Sequence, residues 1–183
     1  MTAILKVDTI QDTAGNNIIN ESSNTITIGA SGDTVAIPSG ATITGSGLGK
    51  VLQVVTATDG TVRNTTSSSF VTASNTLSVD ITPSSTSSKI FIIVNAAGYI
   101  NATGDATYTI YRGSTNLGGS NGMTAMYNET AAQINSSVAM SYLDSPSSTS
   151  ELTYQVYFKT AAGTAYLNYP SATASITTFE IAG

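Results

Sequence analysis

Cysteine and histidine are both absent from this chain of 183 residues, and charged residues make up only 9% of it. Without cysteine, the chain can form neither a disulfide framework nor a thiolate zinc site. Without either residue, the usual catalytic base near neutral pH is missing. Catalysis through a Ser/His or Cys/His pair is therefore excluded.

Positive charge is also scarce. The net charge is −5, and the six basic residues are spread singly along the chain as Lys6, Lys50, Arg63, Lys89, Arg112 and Lys159. A nucleic-acid-binding surface needs a cluster of such residues. No apolar segment approaches the roughly 20 residues of a membrane-spanning helix. We expect neither nucleic-acid binding nor membrane insertion.

Hydroxyl side chains are abundant instead, because serine and threonine together account for 55 of the 183 residues. Typical soluble domains carry about 25% charged residues. Hydroxyls and amides must therefore cover most of this protein's surface.

A short apolar motif recurs near the N-terminus, most clearly in the stretch NTITIGASGDTVAIPSGATITG. The apolar positions Ile10, Ile18, Ile26, Val35 and Ile43 are separated by 8, 8, 9 and 8 residues. Small turn-forming residues lie between them, which is typical of short strands joined by tight turns.

Two architectures can be considered for this repeat. A single-chain β-solenoid has too few rungs here, since stacked repeats generally need at least three units. Burying five Ile/Val side chains contributes roughly 1.5–3 kcal/mol each, whereas ordering the backbone of about 35 residues costs roughly 1–2 kcal/mol per residue. A single chain could therefore not stabilise this stem alone. The second architecture, three identical chains around a shared axis, is favoured. It predicts a trimeric β-prism or β-helix-like stem with Ile10, Ile18, Ile26, Val35 and Ile43 in its core.

The sequence GSGLGK follows the repeat. It lacks the spacing of a phosphate-binding loop, because Lys50 is followed by Val51 rather than by serine or threonine. We interpret residues 46–50 as a glycine-rich hinge. The hinge separates a docking segment and stem, residues 1–45, from a head domain, residues 51–183.

Longer runs of alternating apolar and polar residues begin at Val51. One face of each predicted strand collects the apolar side chains, as in LSVDI, ELTYQVYFK, ATYTIYRG and SVAMSYL. Turn-rich stretches separate these runs. The pattern predicts an antiparallel, jelly-roll-like β-sandwich of about eight strands.

One predicted strand, KIFIIV, is apolar on both faces from Ile90 to Val94. Both faces should therefore be buried. In a two-sheet sandwich one face meets the core, and we expect partner chains around the same three-fold axis to cover the other.

Several stretches taken in order resemble the C-terminal head domain of tail-fibre and other virion fibre proteins of tailed bacteriophages, especially marine ones. They are GKVLQVVTA, DITPSSTSSKIFIIV, YTIYRGSTNLGG, YLDSP, LTYQVYFKTAAGTAYLN and SITTFEIAG, and the opening ILKVDTIQDTAGNNII resembles the start of short fibre proteins of that group. The resemblance covers nearly the whole chain. It implies a homotrimeric fibre on the virion surface, made in the host cytoplasm, docked through its N-terminus on another virion protein and facing the host with its head.

Enzymatic function is not expected. Hydrolysis of a polysaccharide needs two carboxylates that flank the scissile bond, and the acidic residues here are scattered over different turns. We expect Asp59, Asp105 and Asp144 to cap turns. No spaced series of oxygen ligands resembles a calcium-binding loop, so neither a metal nor another cofactor is predicted.

The nine tyrosines are the remaining candidates for recognition. Tyr108, Tyr142 and Tyr154 are in phase with apolar residues and should pack in the core. Others lie near predicted turns, where an exposed ring could stack on a sugar and its hydroxyl could bind one. These candidate receptor contacts are Tyr99, Tyr127 and Tyr166, with Tyr169 nearby, although each could instead line the seam between chains.

The sequence therefore favours a non-enzymatic structural and adhesive virion protein that contacts a host surface glycan or receptor. Two alternatives stay open at this point: a polysaccharide-cleaving tailspike and a bacterial carbohydrate-binding module.

Overall fold

The computed structural model describes residues 9–11, 13, 17–22, 25–28, 32–35, 51–130 and 133–183. The chain divides into two compact units, Met1–Leu48 and Gly49–Gly183. All regular structure in the described residues is β-strand, as the sequence predicts.

The described part of the first unit contains a small antiparallel sheet. Its strands are β1 (Thr9–Gln11), β2 (Asn17–Ser22) and β3 (Thr25–Ile28), in that order. Ile10 pairs with Ile19 in the backbone register, and Ile19 pairs with Ile28. These backbone pairs form within one chain.

The second unit consists of two six-stranded antiparallel sheets. The first sheet contains β4 (Val51–Asp59), β5 (Arg63–Thr65), β8 (Lys89–Ile100), β12 (Ile134–Asp144), β14 (Ala165–Leu167) and β15 (Ala174–Ile181). The strand order is β4-β15-β8-β14-β5, with β12 paired along the other side of β8.

The second sheet contains β6 (Val71–Thr72), β7 (Ser78–Ile81), β9 (Gly104–Arg112), β10 (Thr115–Asn116), β11 (Thr124–Asn128) and β13 (Leu152–Thr160). The order is β10-β9-β13-β6, with β11 on β9 and β7 on β13. The predicted antiparallel sandwich is confirmed. It has twelve strands rather than about eight, because β5, β6, β10 and β14 are only two or three residues long.

The core lies between these two sheets and follows the period-two pattern. The inward side chains of β13, Tyr154, Val156 and Phe158, are at most 1% exposed, and those of β7, Val79 and Ile81, at most 3%. Tyr108 is also fully buried, as predicted, and its hydroxyl donates a hydrogen bond to the backbone carbonyl of Tyr166 at 2.7 Å. The two sheets are thus joined by packing and by this bond.

Tyr142 is an exception to the predicted core. It was expected to pack with Val138 and Met140, which are indeed buried, but it is 36% exposed. It lies on β12, at the edge of the first sheet, which pairs with β8 alone.

Gly98 allows the two sheets to approach closely near the end of β8. A Cβ atom at this position would lie 2.7 Å from Val138 Cγ2, 2.8 Å from Met126 Cε and 2.9 Å from the Tyr108 hydroxyl. Real Cβ atoms do not tolerate such contacts, and overpacking of this kind destabilises a core. Glycine is therefore required here for packing.

Candidate assembly and recognition surfaces

An apolar row crosses the outer face of the first sheet. The register aligns Val54 of β4 with Phe179 of β15, Phe179 with Phe91 of β8, and Phe91 with Leu143 of β12. Val54 is 53% exposed and Leu143 is 48% exposed. The Phe91 and Phe179 ring centroids lie 6.2 Å apart between them. We call these four residues the apolar row.

The row arises from the doubly apolar strand that the sequence singled out. Ile90, Ile92 and Val94 point inward and are fully buried, as expected. Phe91 and Ile93 point outward and are only half-buried within one chain. The prediction of burial is confirmed for the inner face, whereas the outer face keeps an apolar surface of the kind that marks interaction sites.

The residues predicted for the stem core are exposed wherever their side chains are described. The exposed fractions are 39% for Ile10, 67% for Ile26 and 54% for Val35. The side chain of Ile18 and all of Ile43 lie outside the described residues. Ile28 is 57% exposed. It lies two residues from Ile26 on β3, so both side chains share one face of the strand. The count of every eighth residue did not include Ile28. The stem core itself stays a prediction.

Two of the predicted recognition tyrosines lie together on the outer face of the first sheet. Tyr99 of β8 pairs with Tyr166 of β14, and their ring centroids are 5.1 Å apart. Tyr169 stacks on Tyr99 at 4.3 Å and lies 5.7 Å from Tyr166. The rings of Tyr99, Tyr166 and Tyr169 form what we call the tyrosine cluster.

The exposure expected of Tyr99 is wrong. Its side chain is only 4% exposed, because it lies in the interior of the sheet face with Tyr166 and Tyr169 around it. Burial raises the pKa of its hydroxyl, and the neighbouring Tyr169 and Tyr166 raise it further. Tyr99 supports the cluster, while Tyr166 and Tyr169 are half-exposed.

Tyr127 lies on the other side of the sandwich. It belongs to β11 of the second sheet and is 66% exposed, whereas its neighbour Met126 points into the core at 7%. Tyr99 and Tyr166 face outward from the first sheet, so a single chain cannot combine the three tyrosines into one site. Tyr127 stays a candidate contact on its own.

The second sheet carries an aromatic group that sequence reasoning missed. Tyr111 and Tyr157 stack with their centroids 3.9 Å apart, and Phe70 meets the Tyr111 ring edge-on at 6.3 Å. Lys159 lies 4.6 Å from the Phe70 ring centroid and donates a hydrogen bond to the carbonyl of Ser120 at 2.9 Å. The alternation of β13 does place Tyr157 and Lys159 on its outward face, and this was the available signal.

Two buried carboxylates fix loops at opposite ends of the first sheet. Asp59 accepts hydrogen bonds from the backbone N–H of Thr61 at 2.8 Å, from Arg63 Nε at 2.9 Å and from the hydroxyl of Ser74. Glu180 accepts from both the N–H and the hydroxyl of Ser84 and from Gln53 Nε2, at 2.6–2.7 Å. The prediction that Asp59 caps a turn is confirmed.

These bonds decide the charge state of both groups. Burial by itself would raise each pKa. For Asp59, the bonds from Ser74, Arg63 and Thr61 outweigh burial and lower the pKa well below its usual range. For Glu180, the bonds from Ser84 and Gln53 likewise outweigh burial and lower the pKa. Both carboxylates are ionised at neutral pH and are held by donors.

Asp144 is a buried anion rather than the turn cap expected from the sequence. Arg112 Nη1 lies 2.8 Å from Oδ1 and 2.6 Å from Oδ2, and the Tyr154 hydroxyl donates to Oδ2 at 2.6 Å. Burial and the bond to Asp144 raise the pKa of Tyr154. Asp105, also expected to cap a turn, lies in β9 and accepts a hydrogen bond from the hydroxyl of Thr107 at 2.8 Å.

Within the residues that the structure describes, no group of three or more His, Cys, Asp or Glu side chains is placed to hold a metal ion. No helix in the same residues is long and apolar enough to cross a membrane.

Comparisons with known proteins identify distant structural neighbours. No protein-family model matches the chain, and no curated protein matches it. Solved structures of infectious bursal disease virus do match it. A mutant VP2 protein in T=1 particles has 13% identity and a TM-score of 0.37 over 71% of this chain and 36% of that chain. The structure of the Gt strain has 12% identity and a TM-score of 0.38, and the match covers 98% of this chain and 47% of that chain.

The T13 particle of the same virus gives 12% identity and a TM-score of 0.39 over 82% of this chain and 44% of that chain. This chain therefore spans less than half the length of these viral chains. At these identities and TM-scores we transfer no function from them.

Proposed function

We propose that the protein is a structural virion component: a short, non-enzymatic homotrimeric fibre or spike. Residues 1–45 dock on another virion protein and contribute a shared stem, and the β-sandwich head contacts the host surface. The resemblance of the sequence to phage fibre proteins motivates this assignment.

The apolar row is the observation that supports it best. Exposed apolar residues scattered singly on a surface need no explanation. Val54, Phe179, Phe91 and Leu143 instead form a continuous row over four strands. Burial of apolar area contributes about 25 cal/mol per Å², so a second copy that covers this row gains stability.

The N-terminal unit supports the same proposal independently. Ile10, Ile26, Ile28 and Val35 are all exposed in one chain. A stem shared by several chains would bury such residues, and a solitary chain has no described element that does so.

The mass of the free protein tests the proposal. Light scattering at several protein concentrations should give about three times 18.7 kDa, the mass of one chain. A mass that stays at that of one chain would reject the trimer. Incubation with capsular polysaccharide should release no reducing sugar, and such release would assign the protein to the polysaccharide-cleaving spikes.

A further inference from the structure

The first sheet of the head has two long, unpaired edges. β4 has nine residues and pairs with β15 alone, and β12 has eleven residues and pairs with β8 alone. Among the described strands, none pairs with the far side of either. Alternate residues of an edge strand direct their N–H and C=O groups away from the sheet. Two rows of backbone donors and acceptors are thus available for pairing.

These edges lack the usual protection against pairing with another chain. Natural edge strands are commonly kept short or carry lysine or proline. In the second sheet, the outer strands β6, β7, β10 and β11 have only two to five residues. In contrast, β4 (VLQVVTATD) and β12 (INSSVAMSYLD) contain no proline and no basic residue, and each has one acidic residue, at its last position. The protection is missing from one sheet only.

The strand directions determine which edges can meet. β4 is antiparallel to β15, β15 to β8, and β8 to β12, so β4 and β12 run in opposite directions. When two copies of the head point the same way, β12 of one copy is antiparallel to β4 of the next. A head-to-tail contact of this kind closes into a ring if the rotation between copies allows it.

We propose that β12 of each protomer pairs antiparallel with β4 of the next copy of this chain, which joins three heads through their first sheets. The pairing rests on the homotrimer proposed above and specifies its interface. Antiparallel pairing of β12 with β12, or of β4 with β4, would make a two-fold contact that ends at a dimer and points the heads in opposite directions. Only the β12–β4 pair lets every chain enter its head at the same end, as a shared stem requires.

The apolar row agrees with this interface. Val54 and Leu143 are its two ends, and each lies on one of the unpaired strands. Pairing of β12 with the next β4 brings these ends toward each other across the junction, so the row continues from one protomer to the next. One contact thereby satisfies the backbone of both edges and brings exposed apolar side chains of two chains into lateral contact.

Disulfide trapping tests the pairing directly, because the natural chain has no cysteine. One cysteine replaces Ala139, Ser141 or Leu143 on β12, and a second replaces Val54 or Thr56 on β4. All five positions are exposed and face outward from the first sheet. Within one chain β4 and β12 are three strand spacings apart, about 14 Å, which exceeds the roughly 7 Å that a disulfide can span.

Under mild oxidation, we expect at least one of the six pairs to give covalent dimers and trimers on a non-reducing denaturing gel. The single-cysteine variants should give neither covalent dimers nor covalent trimers. In the proposed pairing β12 meets β4 of the next chain, so two identical cysteines do not meet. Covalent dimers from Leu143→Cys alone would show β12–β12 contact and overturn the proposal. A trimeric mass with no cross-link in any pair would overturn the edge pairing while the homotrimer stands, whereas a monomeric mass would reject both.

Discussion

The hydroxyl of Tyr154 donates a 2.6 Å hydrogen bond to Oδ2 of Asp144. Tyr154 belongs to the second sheet, and Asp144 is the last residue of the edge strand β12 in the first sheet. Arg112 of β9 binds both oxygens of the same carboxylate. The edge strand is thereby attached to the opposite sheet at the end that carries Leu143.

Removal of the Asp144 carboxylate should destabilise the head strongly. Asp144 is buried but the Arg112 side chain is 26% exposed, so the loss stays below the roughly 3–5 kcal/mol of a fully buried pair. Asp144→Ala should lower the free energy of unfolding by about 1.5–3 kcal/mol. Tyr154→Phe removes one hydrogen bond to a charged group and should cost about 1.5–3 kcal/mol. Chemical denaturation at a fixed chain concentration measures both.

Asp80→Ala is the matched control for this network. Asp80 is exposed and accepts a hydrogen bond from the hydroxyl of Thr153 at 2.5 Å, and exposed substitutions usually change stability by about 0.5 kcal/mol or less. Equal effects of Asp144→Ala and Asp80→Ala would refute the buried network.

Acid should destabilise the head through Asp59 and Glu180. The folded pKa of each is lowered, so the unfolded chain binds protons more readily. Their contribution to stability is then complete above the unfolded pKa of about 4 and is lost as the pH falls toward the folded pKa. The unfolding free energy should therefore decline below about pH 5. Glu180→Gln should be less stable at pH 7 and show a shallower decline, and an unchanged slope would contradict this assignment.

Charge placed in the apolar row should prevent assembly without unfolding the head. Val54→Asp and Leu143→Asp alter exposed side chains, so the stability of the monomer should change little. An unpaired carboxylate at an apolar interface between chains is costly, however. We expect a shift from trimer toward monomer in light scattering. Ala125→Asp, on the exposed face of the second sheet, is the control and should leave the mass unchanged.

The stem should respond in the same way. Ile26→Asp combined with Val35→Asp would place two carboxylates in the predicted shared core, and we expect a lower melting temperature and a weaker trimer. Thr34→Asp changes an exposed neighbour of Val35 and is the control. Identical melting and mass for the double variant and the control would show that Ile26 and Val35 face solvent in the assembled protein.

Recognition by the head should depend on many weak contacts. The six basic residues are spread singly along the sequence, which gives little long-range steering of a charged ligand. Isolated trimers should therefore bind host cells weakly and with little salt dependence. Beads that carry many trimers should bind well through effective concentration. Tyr127→Ala and Tyr166→Ala should each reduce bead binding while the head stays folded. Undiminished binding by both variants would assign recognition to other residues.

The sequence predicts the sandwich well because burial there follows a local period of two. Val156 and Phe158 were assigned to the core from alternation alone, and both are buried. Tyr142 follows the same alternation and is nevertheless exposed. Alternation assigns a side chain to one face of its strand, whereas its exposure also depends on which neighbouring strands cover that position, and this is a long-range property.

The candidate surfaces were harder to predict for a related reason. The tyrosine cluster brings Tyr99 together with Tyr166 and Tyr169, more than sixty residues later in the chain, through the pairing of β14 with β8. Tyr111 and Tyr157 meet through the register of β9 and β13. Such contacts depend on which strands pair, whereas the sequence indicates only which residues share a face of one strand.

The native mass of the Val54→Asp protein, measured beside the unmodified protein by light scattering, tests the central claim most directly. The account predicts about three times 18.7 kDa for the unmodified chain and a shift toward 18.7 kDa for the variant at the same concentration. An unmodified protein that remains monomeric at all concentrations would contradict the trimeric fibre, and a variant that remains fully trimeric would contradict assembly through the apolar row.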